Sequence, residues 1–336
     1  MIIAGYGRER QICNLTEAQM LSSRKNQILI VVAFACIYII WGSTYLAIRY
    51  AVETIPPLFV ASFRHLIAGA LLFAWCWRRG LRPVRKQWFA SFVLGVLFFL
   101  IGHGTLHWAQ QTLPSGMAAI LVATEPIFVA IIVIVTGRTR ITPALLLGVL
   151  LGVGGVALIF AADIRTGSSE MLSSLVVLIG AASWSTGMVY SRSAALHPDS
   201  HMAAGMSLLA GAVLLSLGGI VTGEIAHLHF TAISMKSFLA LVYLAVAGSL
   251  VAYSAYFWLL NRFPPTLIST HTFVNPLVAL ALGWALAGEV LAPRVIFGGL
   301  IVIAAIAWMS RVSTEEAEPA KVREPHHASA AKRKAA

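Results

Sequence analysis

The sequence predicts an all-α membrane protein of ten transmembrane helices, built as two inverted five-helix repeats. Three observations carry that reading. Hydrophobic residues make up 59% of the 336-residue chain and charged residues only 11%, against about 25% charge in a soluble domain. Apolar runs of about 20 residues, enough to cross a bilayer, recur along its length. The stretch 113–137 (LPSGMAAILVATEPIFVAIIVIVTG) also returns as 263–288 (FPPTLISTHTFVNPLVALALGWALAG). Pro114 matches Pro264, Glu125 matches Asn275, Pro126 matches Pro276 and Trp108 matches Trp258, all at an offset of 150. Trp41 and Arg49 match Trp184 and Arg192 at an offset of 143, so the second half holds a connection seven residues longer. A repeat this long means two related halves of one membrane domain.

In order, the expected spans are residues 28–48, 58–77, 88–109, 114–136 and 143–162, then 172–191, 202–222, 237–260, 264–287 and 295–312. The first five form one repeat, 28–162, and the last five the other, 172–312. Most connections are short. The two longer ones are 78–87 and 223–236, and the second accounts for the extra seven residues. Glycines at 148, 152, 154 and 155, at 219 and 223, and at 298 and 299 suit close helix approach. Cys36 and Cys76 lie in apolar runs and read as packing residues, and the three cysteines offer no disulfide framework.

Charge sets the expected orientation, because Lys and Arg collect in cytoplasmic loops. With the N-terminus inside, 19 of the 24 basic residues fall on one side. Arg49, Arg165, Lys236 and Arg294 fall on the other, and Arg64 lies within a span. Both termini are therefore expected in the cytoplasm: residues 1–27 as an N-terminal segment, and 313–336 as a polar, disordered tail. Met20, just ahead of Arg24 and Lys25, is a second candidate start. The net charge of +11 belongs to these loops and tails and implies no nucleic-acid partner. Five spans per repeat is an odd number, so the second copy must enter from the opposite face.

Glu125 followed by Pro126, halfway along an apolar span, is the sharpest functional signal. A carboxylate at the bilayer midplane costs a few kcal/mol or more and marks function by default. The proline removes a backbone hydrogen bond, and the freed carbonyl must meet protein or water. Glu125 and Asn275 are expected as a polar pair across the inverted axis, with Pro126 and Pro276 bending the helices around a cavity. His103 and His107 share one helix face, and their second-half counterparts are Tyr253 and Phe257. The full expected substrate-binding set is Trp41, Tyr45, His103, His107, Trp108, Glu125, Trp184, Tyr253, Tyr256 and Asn275, with Glu125 as the candidate for proton coupling. The competing reading of each residue is helix packing. Arg64 must face the protein interior or snorkel. A structural ion pair to Glu53 or Glu289 is its first reading, and an anion site its second. Trp75, Trp77 and Trp88 flank the basic loop as interfacial anchors. The spacing supplies no metal site, phosphate loop or catalytic triad, so no cofactor and no enzyme activity are expected.

The stretches YIIWGSTYLAIRYAV, LPSGMAAILVATEPIFVA and TFVNPLVALALGWALAGEVL resemble the EamA-type transporters of the drug/metabolite transporter superfamily, in their YedA-like branch. The resemblance runs from about Ile28 to Arg311. It implies two inverted five-helix repeats in the bacterial inner membrane. It implies a central cavity lined by spans one, three, four, six, eight and nine, and export of amino acids, other small metabolites or drugs. The family's span prolines fall at Pro126 and Pro276, and its Gly-Glu closing span nine falls at Gly288–Glu289. Where many relatives close span four with Gly-Glu, this chain has Gly137–Arg138.

The expected activity is secondary active export of a small metabolite by alternating access, with proton coupling at Glu125. The expected partners are a small-molecule substrate and the lipid bilayer, with a homodimer compatible with the sequence. A membrane-embedded enzyme and a channel are the rival classes, both drawing on His103, His107 and Glu125.

Overall fold

Helix follows helix along the chain, with no strand among the described residues. The computed structural model describes residues 24–137, 142–160, 169–260, 262–263, 270–290 and 292–317. Seven helices are long and apolar enough to cross a membrane. They are α1 (Asn26–Ala51), α2 (Pro57–Arg78), α3 (Arg85–Ala109), α4 (Ser115–Val135), α6 (Glu170–Ser191), α7 (Ser200–Val221) and α8 (Met235–Tyr256). Three apolar helices are shorter over their described residues: α5 (Pro143–Ile159), α9 (His271–Ala287) and α10 (Pro293–Met309). Residues 264–269, expected to open the ninth span, and most of the two terminal segments lie outside the described residues. The helix carrying α10 continues to Ala317, five residues into the segment expected to be disordered.

Three of these helices are wound wider at one place. π-Helical turns occupy Cys36–Ile40 in α1, Gly95–His103 in α3 and Leu244–Val251 in α8. Such turns release backbone groups from the regular ladder and gather at functional sites. The turns in α3 and α8 are repeat-related, since an offset of 150 carries 95–103 onto 245–253.

α4 fills the one span expected from 114 to 136, but it is broken within that span rather than smoothly bent. Its first helix ends at Val122 and its second runs Glu125–Val135. Pro126 carries no N–H to bond Val122 O, and Thr124 O takes the amide of Ile127 at 2.9 Å instead. Pro126 thus sits in the first turn of a new helix, where proline costs nothing. Pro276, its repeat partner, lies inside a continuous α9.

The packing pairs are themselves repeated. α2 lies on α7, and α5 lies on α10. α1 packs on α8 and α9 as α6 packs on α3 and α4, while α2 meets α8 as α7 meets α3. Each member of these pairs maps onto the other by exchange of the two halves. Small residues bring the backbones together. A Cβ on Gly298 would stand 2.7 Å from Gly155 O, and one on Gly205 would stand 3.0 Å from Phe73 N, so only glycine fits either crossing. Buried Val60, Leu106, Ile120, Leu121 and Leu244 pack where α1, α2, α3, α4 and α8 converge.

Candidate functional site

The π turns and the break in α4 bring polar and aromatic side chains together at the middle of the bundle. Trp41, at the end of the α1 π turn, donates from Nε1 to Gly248 O of the α8 π turn at 3.1 Å. Its ring meets Tyr253 at 5.3 Å, Tyr256 at 5.2 Å and His271 at 4.9 Å between centroids. Trp184 on α6 stands at the repeat-related place. It stacks on His103 at 5.0 Å with the planes 16° apart, and lies 4.3 Å from Phe98. Exchange of the halves carries Tyr253 onto His103 and Gly248 onto Phe98. The two tryptophans therefore grip equivalent points of α8 and α3.

Glu125 opens the second helix of α4, partly buried. Its backbone carbonyl accepts from Ser185 Oγ of α6 at 2.9 Å. The repeat-related contact sets Gly42 of α1 against Asn275 O of α9, where a Cβ on the glycine would stand 3.1 Å away. The carboxylate lies within electrostatic reach of Tyr45, Tyr253 and Tyr256. Among the described residues no cation stands within ion-pair distance of it.

Asn275 does not pair with Glu125, contrary to the expectation from sequence. With its amide nitrogen turned toward the neighbouring carbonyls, it donates to His271 O at 3.0 Å and to Tyr38 O at 3.1 Å. Asn275 thereby ties α9 to α1 beside Pro276, which is a packing role. Tyr38 Oη and Thr270 Oγ1 meet at 2.5 Å in the same seam.

A third group stands on α2 and α3. His103 Nδ1 lies 2.9 Å from His65 Nε2. His107 Nδ1 lies 2.7 Å from His103 O, so Nδ1 carries the proton and donates. His107 Nε2 is then buried without a partner. Arg64 is 4% exposed and donates from Nε to Ser249 Oγ of α8 at 3.1 Å. The expected ion pair of Arg64 with Glu53 or Glu289 is not formed. Glu53 takes Lys236 at 2.6 Å, and Glu289 takes Arg49 at 3.4 Å. Glu289 also accepts from Ser115 N at 2.8 Å and Gly116 N at 3.3 Å, capping the start of α4 from the end of α9.

Of the sequence-derived set, Trp41, Tyr253 and Tyr256 meet directly, as do His103, His107 and Trp184. Glu125 lies within electrostatic reach of Tyr45, Tyr253 and Tyr256. Trp108 is 39% exposed and makes no ring contact with this cluster among the described residues. The two surface grooves, one beside Arg85 and Tyr190 and one between α1, α8 and α9 beside Tyr50 and Leu286, share no residue with it. Sequence reasoning passed over Tyr38, His65, Ser249 and His271 as candidates. His271 falls opposite Leu121 in the repeat, so a search for matched positions could not find it. Among the described residues no group of three or more His, Cys, Asp or Glu side chains is set to hold a metal ion.

Comparison with known proteins places this arrangement. The EamA-like transporter family matches residues 28–161 and again 171–311. The uncharacterized inner membrane transporter YedA of Escherichia coli is 38% identical over 264 residues, 77% of this chain and 83% of its own length. The uncharacterized transporter YoaV of Bacillus subtilis is 26% identical over 80% of this chain and 92% of its own. A solved crystal structure shares the fold with a TM-score of 0.58 and 19% identity, over 85% of this chain and 98% of that one.

Proposed function

Since the chain belongs to the EamA-like transporter family, we propose that it is a secondary active transporter exporting a small metabolite across the bacterial inner membrane by alternating access. Ten spans, five in each half, enter the bilayer in opposite directions, with both termini in the cytoplasm. The exchange symmetry of the helix contacts and the placement of basic residues support this reading. The substrate site is the central cluster of Trp41, Tyr45, His103, His107, Glu125, Trp184, Tyr253 and Tyr256. Rocking of one half against the other opens it to each side in turn.

The observation that carries the proposal is Glu125: a mid-span carboxylate at a helix break, within electrostatic reach of Tyr45, Tyr253 and Tyr256 and with no cationic partner among the described residues. An ionisable group there is costly unless it exchanges a proton or binds a cationic group. We assign it both the coupling proton and contact with substrate. Proton-driven efflux from liposomes reconstituted with the full chain tests this, with a pH series of wild type and Glu125→Gln. Loss of pH dependence in the variant is expected, and an unchanged pH profile contradicts the coupling step. Recovery of a chemically unaltered substrate separates a carrier from a membrane enzyme. Saturable counterflow, rather than ohmic current, separates it from a channel.

A further inference from the structure

We propose that Arg64 forms the anion-binding end of the central site and takes a carboxylate group of the substrate. This rests on the transporter reading above and adds a chemical class to it. Arg64 stands on α2 in the middle of the bundle, 4% exposed. A cation so placed needs an anion or a full set of acceptors. It has neither among the described residues. Its single side-chain hydrogen bond runs from Nε to the neutral Ser249 hydroxyl at 3.1 Å. The ion pairs of Glu53, Asp199 and Glu289 are all made elsewhere. The Nη donors, the pair that meets a carboxylate with two parallel bonds, are left over.

Polar groups of α1, α3 and α8 stand around the guanidinium. Gly248, in the α8 π turn, lets the helix backbone lie close against the guanidinium. A Cβ there would stand 3.3 Å from Arg64 Nη2 and 2.9 Å from Thr44 Cγ2. Trp41 holds the Gly248 carbonyl from the other side at 3.1 Å. Tyr253 lies within electrostatic reach of both Arg64 and Glu125, which make no ion pair with each other. His107 Nε2 is buried, without a partner and within reach of Arg64. With its proton on Nδ1 it is an acceptor, which a ligand N–H or O–H would satisfy. A single guanidinium with no second cation of fixed charge beside it suits a monoanionic carboxylate rather than a phosphate dianion.

The test is a thermal-shift series on the full chain in lipid nanodiscs, with benzoate, phenylacetate and indole-3-acetate, their three amides, and phenyl phosphate. A ligand of the folded state raises its melting temperature by mass action. At least one carboxylate is expected to do so where its amide does not. Arg64→Met is expected to remove the shift, and Arg64→Lys, which keeps the charge but not the fork, to weaken binding by about 30-fold or more. The methionine variant is expected to melt no lower than wild type without ligand. If it fails to fold, the lysine variant carries the comparison, and failure of both assigns Arg64 to the fold and overturns the proposal. It is also overturned if no carboxylate shifts the melting temperature, if amides act equally, if phenyl phosphate alone acts, or if the shift survives Arg64→Met. Counterflow of the binding carboxylate distinguishes the two readings. Binding through Arg64 without carriage removes the transporter reading and leaves the subsite. Carriage undiminished in Arg64→Met removes the subsite and leaves the transporter.

Discussion

Trp41 and Trp184 occupy the same place in the two halves and grip the same two positions of the opposing helix, yet they hold different chemistry. Trp41 faces two phenols and the edge of His271. Trp184 lies flat on His103, which continues into His65 and His107. Beside them Glu125 has no cationic partner among the described residues, whereas Asn275 is spent on Tyr38 and His271. The scaffold is duplicated and the site is not. Backbone packing needs only small residues and matched helix crossings, so both copies keep it. A site that recognises one asymmetric molecule gains nothing from two identical walls.

Converting one wall into the other should have the largest effect. Glu125→Asn makes the fourth helix copy the ninth, and proton-driven transport is expected to fall on the order of a hundredfold, as loss of a buried charge contact does. Transport rates in proteoliposomes check this, and near-normal rates would show that the two walls are interchangeable. The next effect concerns the helix ends. Glu289 holds Arg49, Ser115 and Gly116 together, while the Gly-Glu place at the end of span four holds Arg138 instead. Glu289→Ala orphans the α4 amides and should lower unfolding free energy by about 2–3 kcal/mol, read by denaturation in mixed micelles. A change below ~0.5 kcal/mol would make this cap ornamental.

His103→Phe, which removes the imidazole from the Trp184 wall while keeping a ring, leaves His65 Nε2 without its partner. A loss of about 1–2 kcal/mol is expected, with weaker substrate binding in the same thermal-shift assay. The smallest effect belongs to Trp108→Ala. An exposed residue away from the cluster should change stability by no more than ~0.5 kcal/mol and leave transport within twofold. A larger loss would move Trp108 back into the site.

The fold was legible because its signals are periodic and long. Apolar runs set the helices, and the offsets of 143 and 150 matched Trp41 to Trp184 and Tyr253 to His103, residues whose contacts turn out to repeat. The candidate cluster was legible where it obeys the repeat or breaks it with a charge. Glu125 and the two tryptophans were singled out that way. Three things were not. Whether Pro126 bends a helix or starts a new one depends on Thr124 taking the next amide, which composition does not reveal. The partner of Arg64 could not be read, because Glu53 and Glu289 suit it equally well in sequence and are taken by Lys236 and Arg49 in space. Trp108 shares its helix with His107, yet it is 39% exposed where His107 is buried.

The central claim is that this cluster opens to each side of the membrane in turn. It is tested most directly by placing one cysteine at Thr44, beside Trp41 and Arg64, in a background without Cys13, Cys36 and Cys76. A membrane-impermeant thiol reagent is then applied from either side of sealed vesicles. Labelling from each face separately, shifted toward one face by a proton gradient and lost when the bundle is crosslinked, is the predicted result. Labelling from one face only, or from both under crosslinking, would contradict it.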